Sequence, residues 1–272
     1  LWGAAALSAA IVLSIVAFLL LEAGPALSTI TPSRFFGDGA WLPSGGAELG
    51  RFDLTAMVVA SLLAALGAVV LAAPIGIAAG LYGAVYAPAG VSPWFRRLLE
   101  TMAGVPSVIY GLWGLTVLAP KIRGWQPPGQ SLLAAMLILA LMILPTIALL
   151  SESALRGAPR LERLGAAALG LSRWGASRAV LLPHARGGLI AAVLLALGRA
   201  LGETMAVLMV AGNVVQVPAS WFDPVRTLTA NIALELGYAL ELHRSALFVG
   251  GLLLLALATL LVALTPRSLQ RG

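Results

Sequence analysis

The stretch LLALGRALGETMAVLM, Leu194 to Met209, sets two opposite charges, Arg199 and Glu203, inside an apolar run. On a continuous helix they are i and i+4 neighbours, with Cβ atoms about 5–6 Å apart on one face. Eleven apolar or glycine residues, starting at Gly188, precede Arg199, which sets it close to mid-depth, too deep to snorkel easily. Two central charges oppose insertion by roughly 5–7 kcal/mol before any pairing is credited. One reading is a self-neutralising pair that packs against another helix, although Arg preceding Glu is the weaker order for an intrahelical bridge. The other is the polar lining of a transport path, the default for intramembrane ionisable residues. Arginine does not deprotonate to escape burial, and its planar fork of donors matches oxyanions such as phosphate or sulfate. In this reading Glu203 keeps Arg199 from holding the anion too tightly and accepts a hydrogen bond from a protonated oxyanion.

The surroundings that must carry this pair are membrane-like. Of 272 residues, 60% are hydrophobic and 10% charged, and mean hydropathy is +0.97, whereas a soluble domain is roughly a quarter charged. Absence of cysteine excludes disulfide scaffolds, thiolate metal sites and cysteine nucleophiles. His184 and His243 are the only histidines, too few for a zinc centre, and no nucleophile–base pair stands near Arg199 to make the chain a membrane-embedded enzyme. The sole lysine, Lys121, lies in APKIRG, so no GxxxxGK[ST] phosphate loop exists. No cofactor or metal is expected on this chain; ATP and magnesium would belong to a partner. The sequence opens at Leu1 inside an apolar run, so a cytosolic leader is expected before it.

A bilayer core about 30 Å thick needs about 20 apolar residues of helix. Six segments qualify: Leu1 to Leu21, Leu54 to about Ala79, Leu98 to Ala119, Ser131 to Leu150, Gly188 to Gly212 and Ser245 to Leu264. Alternate loops divide the Lys and Arg residues ten against six, the richer side holding Arg96, Arg97, Arg156, Arg160, Arg163, Arg173, Arg178, Arg186, Arg267 and Arg271. The richer side is expected in the cytoplasm with both termini, and the +6 net charge follows from insertion rather than from nucleic-acid binding. Glu22 to Asp53, rich in Gly and Pro, reads as an external surface loop. In FDPVRTLTANIALELGYALEL, Asp223 as N-cap and Pro224 at the first helical position predict a short helix lying along or dipping into the membrane.

In AGVPSVIYGLWG, Gly104 and Gly111 permit close helix approach and Pro106 loosens the helix, so a broken helix is expected there. Ser107 and Tyr110 then either line the path or pack helices. Pro74 with Gly76, and Pro145, mark kinks or hinges. Trp41, Trp113, Trp125 and Trp221 suit interfacial anchoring, and His184 reads as a surface residue. Between spans four and five, Pro159 starts a helix, Ser172 caps a second short helix and Pro183 ends it. This basic segment is either a surface loop held by its arginines or a docking element whose apolar stripe fills a partner's groove.

Here a resemblance enters. Gly170, nine residues, Val180, one residue, then Leu182 and Pro183 resemble the EAA loop of ABC-transporter permeases, which docks on the ATP-hydrolysing subunit. The family glutamate falls on Leu164 and its alanines on Gly165 and Ala166, with Glu162 out of register. AGVPSVIYGLWGL together with GRALGETMAVLMVAGN closely resembles the permease of phosphate-specific transport (Pst) systems, in its PstC-type subunit, from about Leu54 onward. The PstA-type sister is similar but differs after the GET.

The resemblance implies an all-α polytopic protein of six transmembrane helices with the type I ABC importer permease fold. Residues 1–53 form the first helix and external loop, and 54–272 the permease domain, with coupling loop 151–187. Substrate-binding residues would be Arg199, Glu203, Thr204, Ser107 and Tyr110. The coupling loop would use Gly165, Ala166, Gly170, Leu171, Ser172, Arg173, Val180, Leu182 and Pro183. The partners implied are a PstA-type permease, a PstB-type ATPase dimer and a PstS-type binding protein, with inorganic phosphate as cargo in a bacterial inner membrane. A molybdate or sulfate permease and an anion channel are the alternatives.

Overall fold

A computed structural model describes residues 2–263; Leu1, Leu264, Arg267 and Arg271 lie outside the described residues. Among the described residues five helices are long and apolar enough to cross a membrane, and a bent pair taken as one span makes a sixth. In chain order the elements that matter here are α1 (Trp2–Thr29), α2 (Thr55–Tyr86), α3 (Ser92–Gly104), α4 (Ser107–Arg123), α5 (Leu132–Arg156), α6 (Arg160–Ala168), α7 (Arg173–Leu201), α8 (Met205–Val210), α9 (Leu228–Glu235) and α10 (Glu241–Ala263).

The core forms around α5, on which Ile138, Ile143 and Ile147 are fully buried. Glycines on α2 let the two helices approach closely: a Cβ at Gly76 would stand 2.8 Å from Ile147 Cβ, and one at Gly80 2.7 Å from the Ala148 carbonyl oxygen. Small residues at such contacts substitute van der Waals packing for a hydrophobic drive that lipid does not provide. Pro74 and Pro145 lie inside α2 and α5, which run on through them. By contrast α1 is peripheral. Phe18 packs edge-to-face on Phe248 of α10 at 5.6 Å, and Ser245 accepts from Ala26 N at 2.9 Å while donating to the Glu22 carbonyl at 2.7 Å.

The segment between α1 and α2 is more ordered than the external loop expected from its glycines and prolines. Strands β1 (Trp41–Leu42) and β2 (Arg51–Phe52) pair antiparallel, and Phe35, Trp41 and Phe52 are buried against one another and the ends of the spans. Burying three aromatic rings outweighs the turn propensity of the residues between them. Trp41 is therefore no interfacial anchor, whereas Trp113, Trp125 and Trp221 are exposed.

The third span bends by 86° between α3 and α4, at the Val105–Pro106 step where proline removes a donor. Met102 O, near the end of α3, accepts from Tyr110 Oη at 2.8 Å and from Val105 N at 3.3 Å. A Cβ on Gly104 would touch nothing, whereas one on Gly111 would lie 2.9 Å from Ala206 Cα. Of the two glycines expected to permit close approach, only Gly111 does so.

Three local expectations are corrected. The helix after Asp223 begins at Leu228, capped by Thr227, whose hydroxyl accepts from Ala230 N at 3.3 Å. Asp223 instead caps a tight turn through Ala219 N and Ser220 N, both at 2.8 Å. Val225 is held extended by Ala211 and Asn213 at 2.8 and 3.0 Å, which bars an earlier helix start. Pro183 does not end a short helix, because α7 runs from Arg173 through a π-turn at Ser177–Leu181 into the fifth span. Wide i→i+5 pairing precedes the residue that lacks a donor. Finally, the fifth span does not extend as one helix to Gly212; it stops at Leu201.

Candidate functional site

That stop separates the two charges. Arg199 lies in the last turn of α7, while Glu203 lies in the unwound link Gly202–Thr204 before α8. The sequence favours the break, since glycine weakens a helix interior by about 1 kcal/mol and both sides of the break are capped. Glu203 Oε1 accepts from Ala206 N at 3.1 Å, and the Glu203 carbonyl, released from helical pairing, accepts from Thr229 Oγ1 of α9 at 2.9 Å. The one-face helical pair expected from the spacing is therefore absent, and with it the self-neutralising reading. Among the described residues Arg199 makes no ion pair.

Arg199 is exposed, and its one hydrogen bond runs from Nη1 to Thr146 Oγ1 of α5 at 3.3 Å. A guanidinium has five N–H donors, so most remain free for a ligand. The Tyr110 hydroxyl is committed to Met102 O at 2.8 Å. Ser107 is half-buried at the start of α4. Thr204 is half-buried beside the break, its hydroxyl 3.4 Å from the Gly202 carbonyl. Thr204 and Thr229 share a cavity of about 500 Å³ with Ile232, Ala233, Leu236 and Gly237. The break between α7 and α8 thus joins α5, α8 and α9 at one place.

Thr146 and Thr229 were not legible as site residues. Thr146 sits in a span that shows mainly its apolar length, and Thr229 belongs to a helix whose local start signal, Asp223–Pro224, lies ahead of its true start.

On the loop side, α6 ends in a Schellman motif, with Leu171 N bonded to Ala166 O at 3.1 Å and Gly170 N to Ala167 O at 3.0 Å. Gly170 adopts φ +67°, a left-handed conformation that glycine accepts without steric cost. Ser172 caps α7 as expected, its hydroxyl accepting from Gly175 N at 3.1 Å. Arg163 ties the bend to α5 by donating to the Leu155 and Arg156 carbonyls at 2.9 and 3.0 Å. His184 lies 3.3 Å from Glu162 across the bend, both partly exposed. Ala166 is buried while Gly165 is exposed; Leu171, Val180 and Leu181 border a cavity of about 300 Å³ with Arg163 and Arg173. Leu182 and Pro183 open the α-helical part of α7. Outward from this bend point Leu161, Leu164, Leu169 and Trp174, all exposed.

Comparisons with known proteins agree with this architecture. Residues 72–271 match the family described as binding-protein-dependent transport system inner membrane component. A probable ABC transporter permease protein, YqgH, of Bacillus subtilis is 36% identical over 239 residues, covering 86% of this chain and 77% of the relative. The phosphate transport system permease protein PstC of Mesorhizobium japonicum is 33% identical over 243 residues, covering 81% and 74%. PstC 2 of Mycobacterium tuberculosis is 31% identical over 283 residues, covering 96% and 86%. Among solved structures, an inward-facing MetNI methionine ABC transporter aligns with TM-score 0.64 at 22% identity, covering 80% of this chain and 94% of that one. An amino acid ABC transporter aligns with TM-score 0.52 at 13% identity, covering 78% and 92%. The fold is that of a type I ABC importer permease, and the chain belongs to the family of binding-protein-dependent transport system inner membrane components, a multi-pass membrane permease subunit rather than an enzyme.

Proposed function

We propose that this chain is the PstC-type permease of an ATP-driven importer of inorganic phosphate, and that phosphate passes Arg199. The observation that supports the site most directly is a guanidinium at the end of a broken span, exposed and without an ion-pair partner among the described residues. A charge in that position opposes insertion by about 2.5–3.5 kcal/mol, and an anionic cargo offsets that cost while it is bound. The relatives named as phosphate permeases favour phosphate over other oxyanions.

In this reading Arg199 binds the anion with its planar donor fork. Glu203, held by Ala206 N rather than by Arg199, keeps one carboxylate oxygen to accept from a protonated phosphate. Thr204 and Ser107 border the path, while Tyr110 braces the bend. Residues 1–53 form an accessory helix and external cap, and 54–272 the permease domain with coupling loop 151–187. The exposed Leu161, Leu164, Leu169 and Trp174 fill a groove on a PstB-type ATPase, which binds ATP and magnesium. A PstA-type permease completes the path and a PstS-type protein delivers phosphate outside, with both termini in the cytoplasm. ATP binding moves the loop, and the helices rock to open the other side.

Purified complex in vesicles tests this: ATP-dependent phosphate uptake is expected, and Arg199→Gln should remove it while the subunits still co-purify. Uptake of sulfate or molybdate in place of phosphate overturns the cargo, and conduction without an ATPase overturns the mechanism.

A further inference from the structure

Thr146 behaves unlike the threonines beyond the first turn of other helices. Thr29, Thr101, Thr116 and Thr259 each donate a hydroxyl hydrogen bond to the carbonyl one turn back, at 2.7, 2.8, 2.8 and 2.8 Å. Thr146 has the same opportunity at Met142 and does not take it. Its oxygen accepts from Arg199 Nη1 at 3.3 Å, and among the described residues its proton has no acceptor. A hydroxyl is one donor and two lone pairs, so accepting from Arg199 leaves it free to donate. Thr146 is only half-buried and Arg199 is exposed beside it. An unmet hydroxyl donor therefore stands next to an unpaired guanidinium on a surface open to a ligand.

We propose that Thr146 is a substrate-binding residue, donating its hydroxyl proton to an oxygen of the tetrahedral oxyanion that Arg199 binds. This rests on the reading of Arg199 as the phosphate site. Two donors on separate helices, one charged and one neutral, engage different oxygens of one anion. The neutral donor adds affinity and orientation without adding charge that would slow release. It also links α5, the helix at the centre of the core, to α7, whose end carries the break.

The test uses the complete complex in vesicles, with inorganic phosphate as probe. Thr146→Val keeps the shape and removes the donor; KM for phosphate uptake should rise roughly tenfold or more, as for a lost hydrogen bond to a charged group, with maximal rate and ATP hydrolysis near wild type. Thr146→Ser restores the hydroxyl and should return KM to within about twofold of wild type. A role confined to orienting Arg199 is separated by arginine-modifying dicarbonyl labelling read at Arg199: reactivity stays normal in Thr146→Val, while more phosphate is needed for protection. An unchanged KM in Thr146→Val, equal impairment in Thr146→Ser, or lost Arg199 reactivity overturns the inference. Should Thr146→Val not assemble, Thr146→Ala is read by the same criteria. Arg199→Gln run in parallel separates the two readings: normal phosphate uptake by it overturns both, whereas its loss alongside a wild-type Thr146→Val overturns only the role of Thr146.

Discussion

Arg226 and Glu235 meet at 2.8 Å, and the same carboxylate receives Trp41 Nε1 at 2.7 Å and lies 2.9 Å from His243 Nε2. Arg226 also donates to Asn231 and to the Asn213 carbonyl. Arg199 and Glu203, four residues apart in sequence, do not pair; the arginine is exposed and the glutamate caps a short helix. The first cluster gathers strand β1, the Asn213–Arg226 segment, α9 and α10 into one piece, so its charges are structural. Its position also explains why Trp41 is buried. The second combination leaves its cation without a carboxylate, because the helix break turns Glu203 to Ala206 N. Compensation marks architecture here, and in the proposed function its absence marks the place where a mobile anion supplies the missing charge.

The sharpest way to break this contrast is at the open arginine. Arg199→Gln should lower ATP-driven phosphate uptake by at least about 100-fold, as for loss of a charge-assisted contact worth about 3 kcal/mol, with thermal stability of the complex unchanged. Arg199→Lys should recover little of it, because a point charge replaces a planar fork. The satisfied cluster should respond in the opposite way. Glu235→Ala leaves the half-buried Arg226 without its carboxylate and should destabilise the complex, by less than the roughly 3–5 kcal/mol of a fully buried pair, read as a lower melting midpoint, while KM in the surviving complexes stays near wild type.

A smaller effect is expected at the joint between the two regions. Gly111→Ala brings a Cβ to 2.9 Å from Ala206 Cα, and overpacking of this kind costs about 1–3 kcal/mol. Because α8 follows the break, the same variant should also alter KM. Smallest is Ser172→Ala, which removes a helix cap worth about 1 kcal/mol. Fraying at the start of α7 should reduce the phosphate moved per ATP hydrolysed without changing KM.

Much of this arrangement was legible from residue types and spacing. Apolar length found six spans, Pro106 found the bend in the third, and Gly170 with Ser172 found the turn of the loop. Arg199 was legible because a fixed charge in an apolar run is costly wherever it falls. What composition hid was the break after Leu201: Gly202 alone is tolerated in many helices, and the acceptor of Thr229 and the capping by Glu203 exist only once distant segments meet. The start of α9 was misplaced for the same reason, since Asp223–Pro224 is a good local start signal that the Ala211–Val225 backbone pairing overrides. The segment between α1 and α2 reads as loop because its order comes from three aromatic residues spread through glycine-rich sequence.

The central claim is that water and anions reach the Arg199 position. The chain contains no cysteine, so Arg199→Cys provides a unique label site on it, with Leu13→Cys on the exposed outer face of α1 as the lipid-facing control. In the assembled complex a membrane-impermeant thiol reagent should modify Cys at the Arg199 position in one nucleotide state and leave it protected in another, with the Leu13 control unreactive throughout. Failure of the reagent to reach the Arg199 position in every nucleotide state would contradict the account.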